Sequence, residues 1–145
     1  MSNLVNFVDL TIEQHNLVLS WRNSNRVRNN MYDSNHISQK EHLCFVGDLK
    51  QNKKKNYFLF EDLGVIYFTN IHNNSAEIGL YSNPEKFGVG KILMDKILEF
   101  PYKKLTLEVF SGNLKAIELY KKYNFIETER FIKNNRKVIC MELDI

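Results

Sequence analysis

Cysteine, long apolar runs and a strong excess of one charge are all scarce or missing from this chain, and each absence narrows its function. The 145 residues hold two cysteines, Cys44 and Cys140, with no C-x-x-C spacing and no paired histidines beside them. That pattern excludes a cysteine–histidine metal site, so no metal is expected. It reads as two reduced, buried thiols, one in an apolar helix and one in an apolar strand. No apolar run approaches the ~18 residues of a membrane span, and the N-terminus lacks the basic-then-apolar layout of a signal peptide. A soluble cytoplasmic protein without a membrane partner is expected. Twenty basic residues against 17 acidic ones leave a formal charge of +3, too mild for a nucleic-acid groove and suited to a small anionic ligand. There is no repeat and no internal linker, so residues 1–145 are expected to form one domain. What is present, 43% hydrophobic and 12% aromatic residues, is the composition of a chain with a core.

The patterning predicts a first strand over residues 4–10, apolar at Val5, Phe7 and Val8. Thr11 then precedes an amphipathic helix through Ile12, Leu17, Leu19 and Trp21, with Glu13 in its first turn. Residues 24–35 are polar and irregular, anchored by Val27 and Met31. Ser38 with Glu41 three residues on is a capping box for a second helix, whose apolar face runs through Leu43, Phe45, Val46 and Leu49. Three strands follow as a meander over 56–61, 64–70 and 75–81, the last after an Asn73-Asn74 turn. A helix over 92–100, a strand over 105–110, a helix over 113–123 and a hairpin around Asn134-Asn135 complete the chain.

Between the third meander strand and its following helix lies Glu85-Lys86-Phe87-Gly88-Val89-Gly90-Lys91. Two glycines at a strand-to-helix turn let the backbone approach a ligand closely, and the helix start offers free N–H groups and the positive end of its dipole. That arrangement suits a pyrophosphate. A second motif, from Asn113 through Ala116, Tyr120 and Lys122 to Asn124-Phe125, directly follows the 105–110 strand. In this order and spacing the two segments resemble the acyl-CoA-binding half of the GCN5-related N-acetyltransferase (GNAT) superfamily, with its (R/Q)-x-x-G-x-(G/A) loop and N-x-x-A-x-x-x-Y-x-K-x-(G/N)-F helix. Glu85 departs from the pattern, standing where the family prefers Arg or Gln. The resemblance implies an α/β (α+β) fold: a mixed, mostly antiparallel, seven-stranded twisted sheet flanked by four helices and splayed at a central parallel strand pair. It also implies acetyl-CoA as donor.

Acetyl transfer to an amine requires a held cofactor, a neutral amine, a stabilised oxyanion and a protonated leaving thiolate. By the resemblance, the stretch Ile78, Gly79, Leu80 and Tyr81 pairs with the pantetheine arm beside a bulge expected at Gly79. Phe87, Gly88, Val89, Gly90 and Lys91 hold the pyrophosphate, with Asn113 and Lys115 at the head of the later helix. Tyr120 takes the position of the general acid. Glu77, two residues before Gly79 on the central strand, is the candidate base, and His36 and His42 are alternatives.

The N-terminal third carries Trp21-Arg22-Asn23, then Met31, then Glu41-His42-Leu43. Together with Phe58-Leu59-Phe60 and Gly79-Leu80-Tyr81 this resembles the nucleotide-sugar N-acetyltransferases of pseudaminic acid biosynthesis. There the acceptor is UDP-2-acetamido-4-amino-2,4,6-trideoxy-β-L-altropyranose, acetylated at its 4-amino group on the way to flagellin and cell-surface glycans. The resemblance implies Arg22, Met31, His42 and Tyr81 as acceptor-binding residues, and it leaves a homodimer open. Two other readings stand beside it: a protein N-terminal or ribosomal-protein acetyltransferase, and a CoA-binding module without turnover.

Overall fold

The computed structural model describes residues 3–145. Its first element, strand β1 (Leu4–Asn6), is shorter than expected. The Asn6 side chain accepts the Val8 N–H at 3.1 Å, which turns Phe7–Asp9 into a single 3-10 turn and ends the strand. Helix α1 (Ile12–Arg22) starts at Thr11, whose hydroxyl accepts from Gln14 N–H while the Gln14 side chain reaches back. Helix α3 (Gln39–Leu49) starts in the same way at Ser38 and Glu41. Such caps are each worth about 1 kcal/mol. Between them the polar segment forms a one-turn helix, α2 (Asn25–Arg28), so there are five helices where four were expected.

Both N-terminal helices bury a stripe shifted from the one expected, although Trp21, Val46 and Leu49 are inward as expected. α1 turns His15, Val18 and Trp21 inward and leaves Ile12 and Leu17 largely exposed, while α3 buries His42, Val46 and Leu49 and exposes Leu43. The inward histidines explain the shift: His15 Nδ1 and His42 Nε2 meet at 3.1 Å, so each polar ring is satisfied by the other. Cys44 is likewise exposed and Cys140 half-buried, against the expectation of two buried thiols.

The remaining elements are β2 (Asn56–Phe60), β3 (Gly64–His72), β4 (Ser75–Ser82), α4 (Gly90–Leu98), β5 (Lys104–Phe110), α5 (Leu114–Lys122), β6 (Ile126–Lys133) and β7 (Arg136–Asp144). The seven strands lie in the order β1-β2-β3-β4-β5-β7-β6. Every neighbouring pair is antiparallel except β4 and β5. Two hairpins turn on asparagine pairs with positive φ, Asn73-Asn74 at 47° and 65° and Asn134-Asn135 at 54° and 60°. Asparagine tolerates that region, and such a turn matches the strand twist. Helices α4 and α5 cover one sheet face over a core that includes Phe68, Ile78, Leu93, Met94, Leu107 and Met141. The N-terminal helices cover the other over Phe7, Val18, Trp21, Val46 and Val65. Among the described residues no helix is long and apolar enough to cross a membrane.

The His15–His42 pair makes stability depend on pH. Burial, and for His42 also the neighbouring His15, holds both pKa values below the ordinary value near 6.5, His42 at about 4. The unfolded chain then binds more protons, so the contribution is complete above pH 6.5 and is lost as pH falls toward 4. A melting temperature followed from pH 7 to pH 4 should fall, and His42→Leu should flatten the curve. An unchanged acid slope in that variant would assign the loss to other groups.

Candidate active site

Strands β4 and β5 are in register only at Ser75↔Lys104, Ala76↔Leu105 and Glu77↔Thr106. Beyond that point they part, although β4 stays paired with β3 to Ser82 and β5 stays paired with β7 to Phe110. The parted edges open into a cleft of about 670 Å³. No bulge at Gly79 produces the splay: β3–β4 pairing runs regularly through Tyr67↔Gly79, and the register shift lies between Thr69 and His72. Gly79 has another purpose. The Tyr67 ring lies directly over it, so a Cβ there would sit 2.0 Å from Tyr67 Cζ. Tyr67 is itself stacked on Tyr57 at 4.6 Å and lines the cleft.

At the C-terminal end of β4 the chain turns under control of Asn83, which is buried. Its side-chain amide donates to Asp62 O at 2.9 Å and its Oδ1 accepts from Glu85 N–H at 3.0 Å. Gly88 follows with φ +69°, a conformation that favours glycine. Val89, buried in the core, is the N-cap of α4 and makes no side-chain cap. The first helical bond is Leu93 N–H to Val89 O, so the N–H groups of Gly90, Lys91 and Ile92 precede the ladder and are free for an anion. Phe87, Gly88, Val89, Gly90 and Lys91 all line the cleft, as do Ile78, Leu80 and Tyr81. Glu85 is exposed and outside the cleft-lining set, whereas Lys86, Lys91 and Lys115 are within it. Asn113 sits at the N-cap of α5 with no side-chain cap bond, and it too lines the cleft. The donor set therefore fits a diphosphate without a cation at position 85.

Helix α5 ends at Asn124, which has φ 72° and lets Phe125 N–H reach Tyr120 O at 3.1 Å. That closure sets Phe125 in the core, 5.9 Å from the Tyr120 ring. Tyr120 is buried and lines the cleft from the α5 side. Burial, then the nearby Tyr67, pushes its pKa well above the tyrosine range, so the phenol keeps its proton. Burial also pushes Tyr67 up to about 12. Glu77 lines the cleft from β4 and accepts a hydrogen bond from Asn70 Nδ2 at 2.9 Å. Burial raises its pKa, with the Glu108 carboxylate adding to the rise and the Asn70 bond opposing it. A retained phenol proton and a carboxylate of raised basicity thus share one cleft.

The acceptor side departs most from the sequence reading. Met31 and Tyr81 line the cleft; Arg22 and His42 do not. Arg22 donates from Nη2 to Asp33 O at 2.8 Å, and its charge acts on Tyr57, Tyr67 and Tyr81. His42 is buried against His15, and His36 is an exposed loop residue outside the cleft. The Trp21-Arg22-Asn23 pattern builds a loop: Asn23 Nδ2 donates to Ile37 O and Ile37 N–H returns a bond to Asn23 Oδ1, both at 2.8 Å. The residues that do line this side are Arg26, Asn30, Met31 and Tyr32, facing Glu108 on β5. Arg26 donates to Ser82 Oγ and Asn83 O, both at 3.1 Å. Of these only Met31 was legible, because an isolated arginine or tyrosine in a polar segment carries no periodic signal.

The splayed pair, the uncapped helix start and the glycine turn together specify an acyl-CoA site, and comparison with known proteins agrees. The family described as Acetyltransferase (GNAT) family matches residues 19–125. The chain belongs to the GNAT family. This acetyltransferase is 38% identical over 134 residues to Acetyltransferase PseH of Campylobacter jejuni subsp. jejuni, covering 86% of this chain and 85% of that protein. The crystal structure of the C. jejuni N-acetyltransferase PseH in complex with acetyl coenzyme A superposes with a TM-score of 0.79 at 32% identity, covering 97% of this chain and 96% of that one. Spermidine N-acetyltransferase from Vibrio cholerae, in complex with CoA and spermine, shares the fold at TM-score 0.84 and 20% identity, over 99% of this chain and 96% of its own. Acetyl-CoA is the acetyl donor. The expected fold class is therefore found, with a fifth short helix.

Two glycine substitutions separate packing from binding. Gly79→Ala forces its methyl into Tyr67 and should cost about 1–3 kcal/mol of stability by overpacking, read by chemical denaturation. Gly88→Val meets nothing within 4 Å but must hold a positive φ. The fold should remain, but the free loop of the variant relaxes away from that φ, so acetyl-CoA binding should weaken about tenfold by calorimetry, the equivalent of roughly 1.4 kcal/mol to restore it. Equal losses of stability in both variants would remove the diphosphate role from Gly88.

Proposed function

We propose that this acetyltransferase transfers acetyl from acetyl-CoA to the 4-amino group of a UDP-linked amino-sugar, UDP-2-acetamido-4-amino-2,4,6-trideoxy-β-L-altropyranose. The observation that carries the reading is the 38% identity to PseH over 134 residues, which spans both the cofactor half and the acceptor-side loops. Met31, the member of the N-terminal pattern that lines the cleft, supports it. Arg26, a cleft-lining guanidinium beside the end of β4, takes the acceptor-binding part expected of Arg22. Met31 and Tyr81 provide apolar surface for the base. His42 has no part in the site. The reading extends to a cytoplasmic enzyme whose product feeds a nonulosonic acid on flagellin and surface glycans.

Acetyl-CoA supplies the activated acetyl thioester. In this reading the free edge of β4 over residues 78–81 pairs with the pantetheine arm and turns backbone N–H groups toward the carbonyl oxygen as it gains charge. Residues 87–91, with Asn113 and Lys115, hold the diphosphate. Glu77 takes a proton from the acceptor ammonium, leaving a neutral nitrogen to form the new N–C bond as the C–S bond breaks. Tyr120 gives its phenol proton to the departing sulfur, and the second proton, shed by the nitrogen as it becomes an amide, restores the phenol.

Acetyl-CoA consumption measured with the UDP-4-amino-sugar, a peptide panel and spermidine tests the acceptor. Turnover on the nucleotide sugar far above the rest is expected, and turnover on peptide alone would replace the reading with a protein acetyltransferase. Tyr120→Phe should keep acetyl-CoA affinity and lower kcat by roughly 10²–10⁴-fold. A kcat within a few-fold of wild type would reduce Tyr120 to packing.

A further inference from the structure

Glu108 stands on β5 two residues beyond Thr106, the last point of contact with β4, and therefore on the same sheet face as Glu77 but across the opened gap. Its carboxylate lines the cleft and is close enough to Glu77 for its charge to act there. The Tyr32 hydroxyl donates to Glu108 Oε1. Neither Glu77 nor Glu108 has an ion-pair partner within 4.0 Å among the described residues.

Tyr32 does not hold this position through its own loop alone. Its ring meets Phe110 edge-on at 5.4 Å, and Lys133 Nζ lies 4.0 Å above it. Asn134 Nδ2 donates to Tyr32 O at 3.0 Å, and Arg136 Nη1 donates to Asn29 O at 2.7 Å. The Arg136 guanidinium also covers the Phe110 ring at 3.5 Å. The tip of the β6–β7 hairpin thus braces residues 29–32 from outside, while Asn30, Met31 and Tyr32 face the cleft from inside. One carboxylate oxygen of Glu108 is thereby held by a phenol, in a residue that lines the cleft.

We infer that Glu108 binds the acceptor nitrogen in its ammonium form, with Tyr32 and the hairpin tip as positioning residues. The acceptor docks charged beside Glu108 and passes its proton to Glu77 only in place. This rests on the proposed function, in which the acceptor is an amine, and it places the entry of that amine between residues 29–32 and β5. Specificity then has a charge component: an alcohol of the same shape, which carries no positive charge, loses the contact.

The experiment compares the UDP-4-amino-sugar as substrate with its 4-hydroxy analogue as competitive inhibitor, at saturating acetyl-CoA. For the wild type the KM of the amine should lie about tenfold or more below the Ki of the alcohol, the scale of a charge-assisted hydrogen bond. Glu108→Gln should raise that KM toward the Ki of the alcohol, leave the Ki unchanged, and leave acetyl-CoA affinity by calorimetry unchanged. Tyr32→Phe should move KM in the same direction by less. Glu108 is exposed, so a melting curve like the wild type's is expected for its variant. An unmoved KM, an equal loss for amine and alcohol, or a fall in kcat alone would overturn the inference. If the wild type does not acetylate the nucleotide sugar, the proposed function fails by itself. The same amine–alcohol comparison then runs on whichever amine the acceptor panel selects, and an unmoved KM for that amine overturns the role of Glu108.

Discussion

The structure depends on a hydrogen-bond ladder that stops. β4 and β5 are tied together by three residue pairs, ending at Glu77↔Thr106, and past that point each strand relies on its outer neighbour. Backbone groups at the parted edges would be costly if buried without partners, so the sheet tolerates the opening only as a wet cleft or a ligand site. The long antiparallel pairings of β3 with β4 and of β5 with β7 carry the strands on regardless. They keep the two walls of the cleft rigid where the central seam gives way.

Both walls are then furnished from opposite faces of the sheet. α4 and α5 bring an uncapped helix start, an uncapped Asn113 and the buried Tyr120 from one side. The segment after α1 brings Arg26, Met31 and Tyr32 from the other. Tyr67 stands at the crossing: its ring lies on Gly79, its hydroxyl is electrostatically coupled to Glu77 and Tyr120, and its stack on Tyr57 joins it to the N-terminal core. A β4 residue with any side chain at position 79 would displace that ring. The glycine serves the packing of Tyr67 and not a bulge.

Motif positions that read as cofactor chemistry turn out to have separable physical reasons. Asn124 is needed for a positive φ that ends α5, and Phe125 for the packing that this ending permits. Gly88 is needed for its φ, while Gly90 sits so near Leu119 that a methyl would come within 2.9 Å of Cδ2. Glu85, which departs from the family pattern, is exposed and is not among the residues that line the cleft, whereas four lysines are. The N-terminal pattern misled in a different way. Arg22, Asn23 and His42 were legible as a set, but Asn23 clamps a loop, His42 is satisfied by His15, and Arg22 bonds the Asp33 carbonyl.

Sequence alone was enough for most of the elements and their order, for both capping boxes and for the asparagine turns. Each of these is local: a cap, a turn or a helix start is specified by residues within a few positions of one another. It also carried enough of the family pattern to imply the splayed sheet. Tertiary structure alone decided which polar residues face the cleft. Glu108 meets Tyr32 across 76 residues of chain, and Asn134 and Arg136 reach residues more than 100 positions earlier. Whether a histidine or an arginine looks into a site or into a core depends on such contacts, because a polar side chain goes wherever the folded chain supplies its partner.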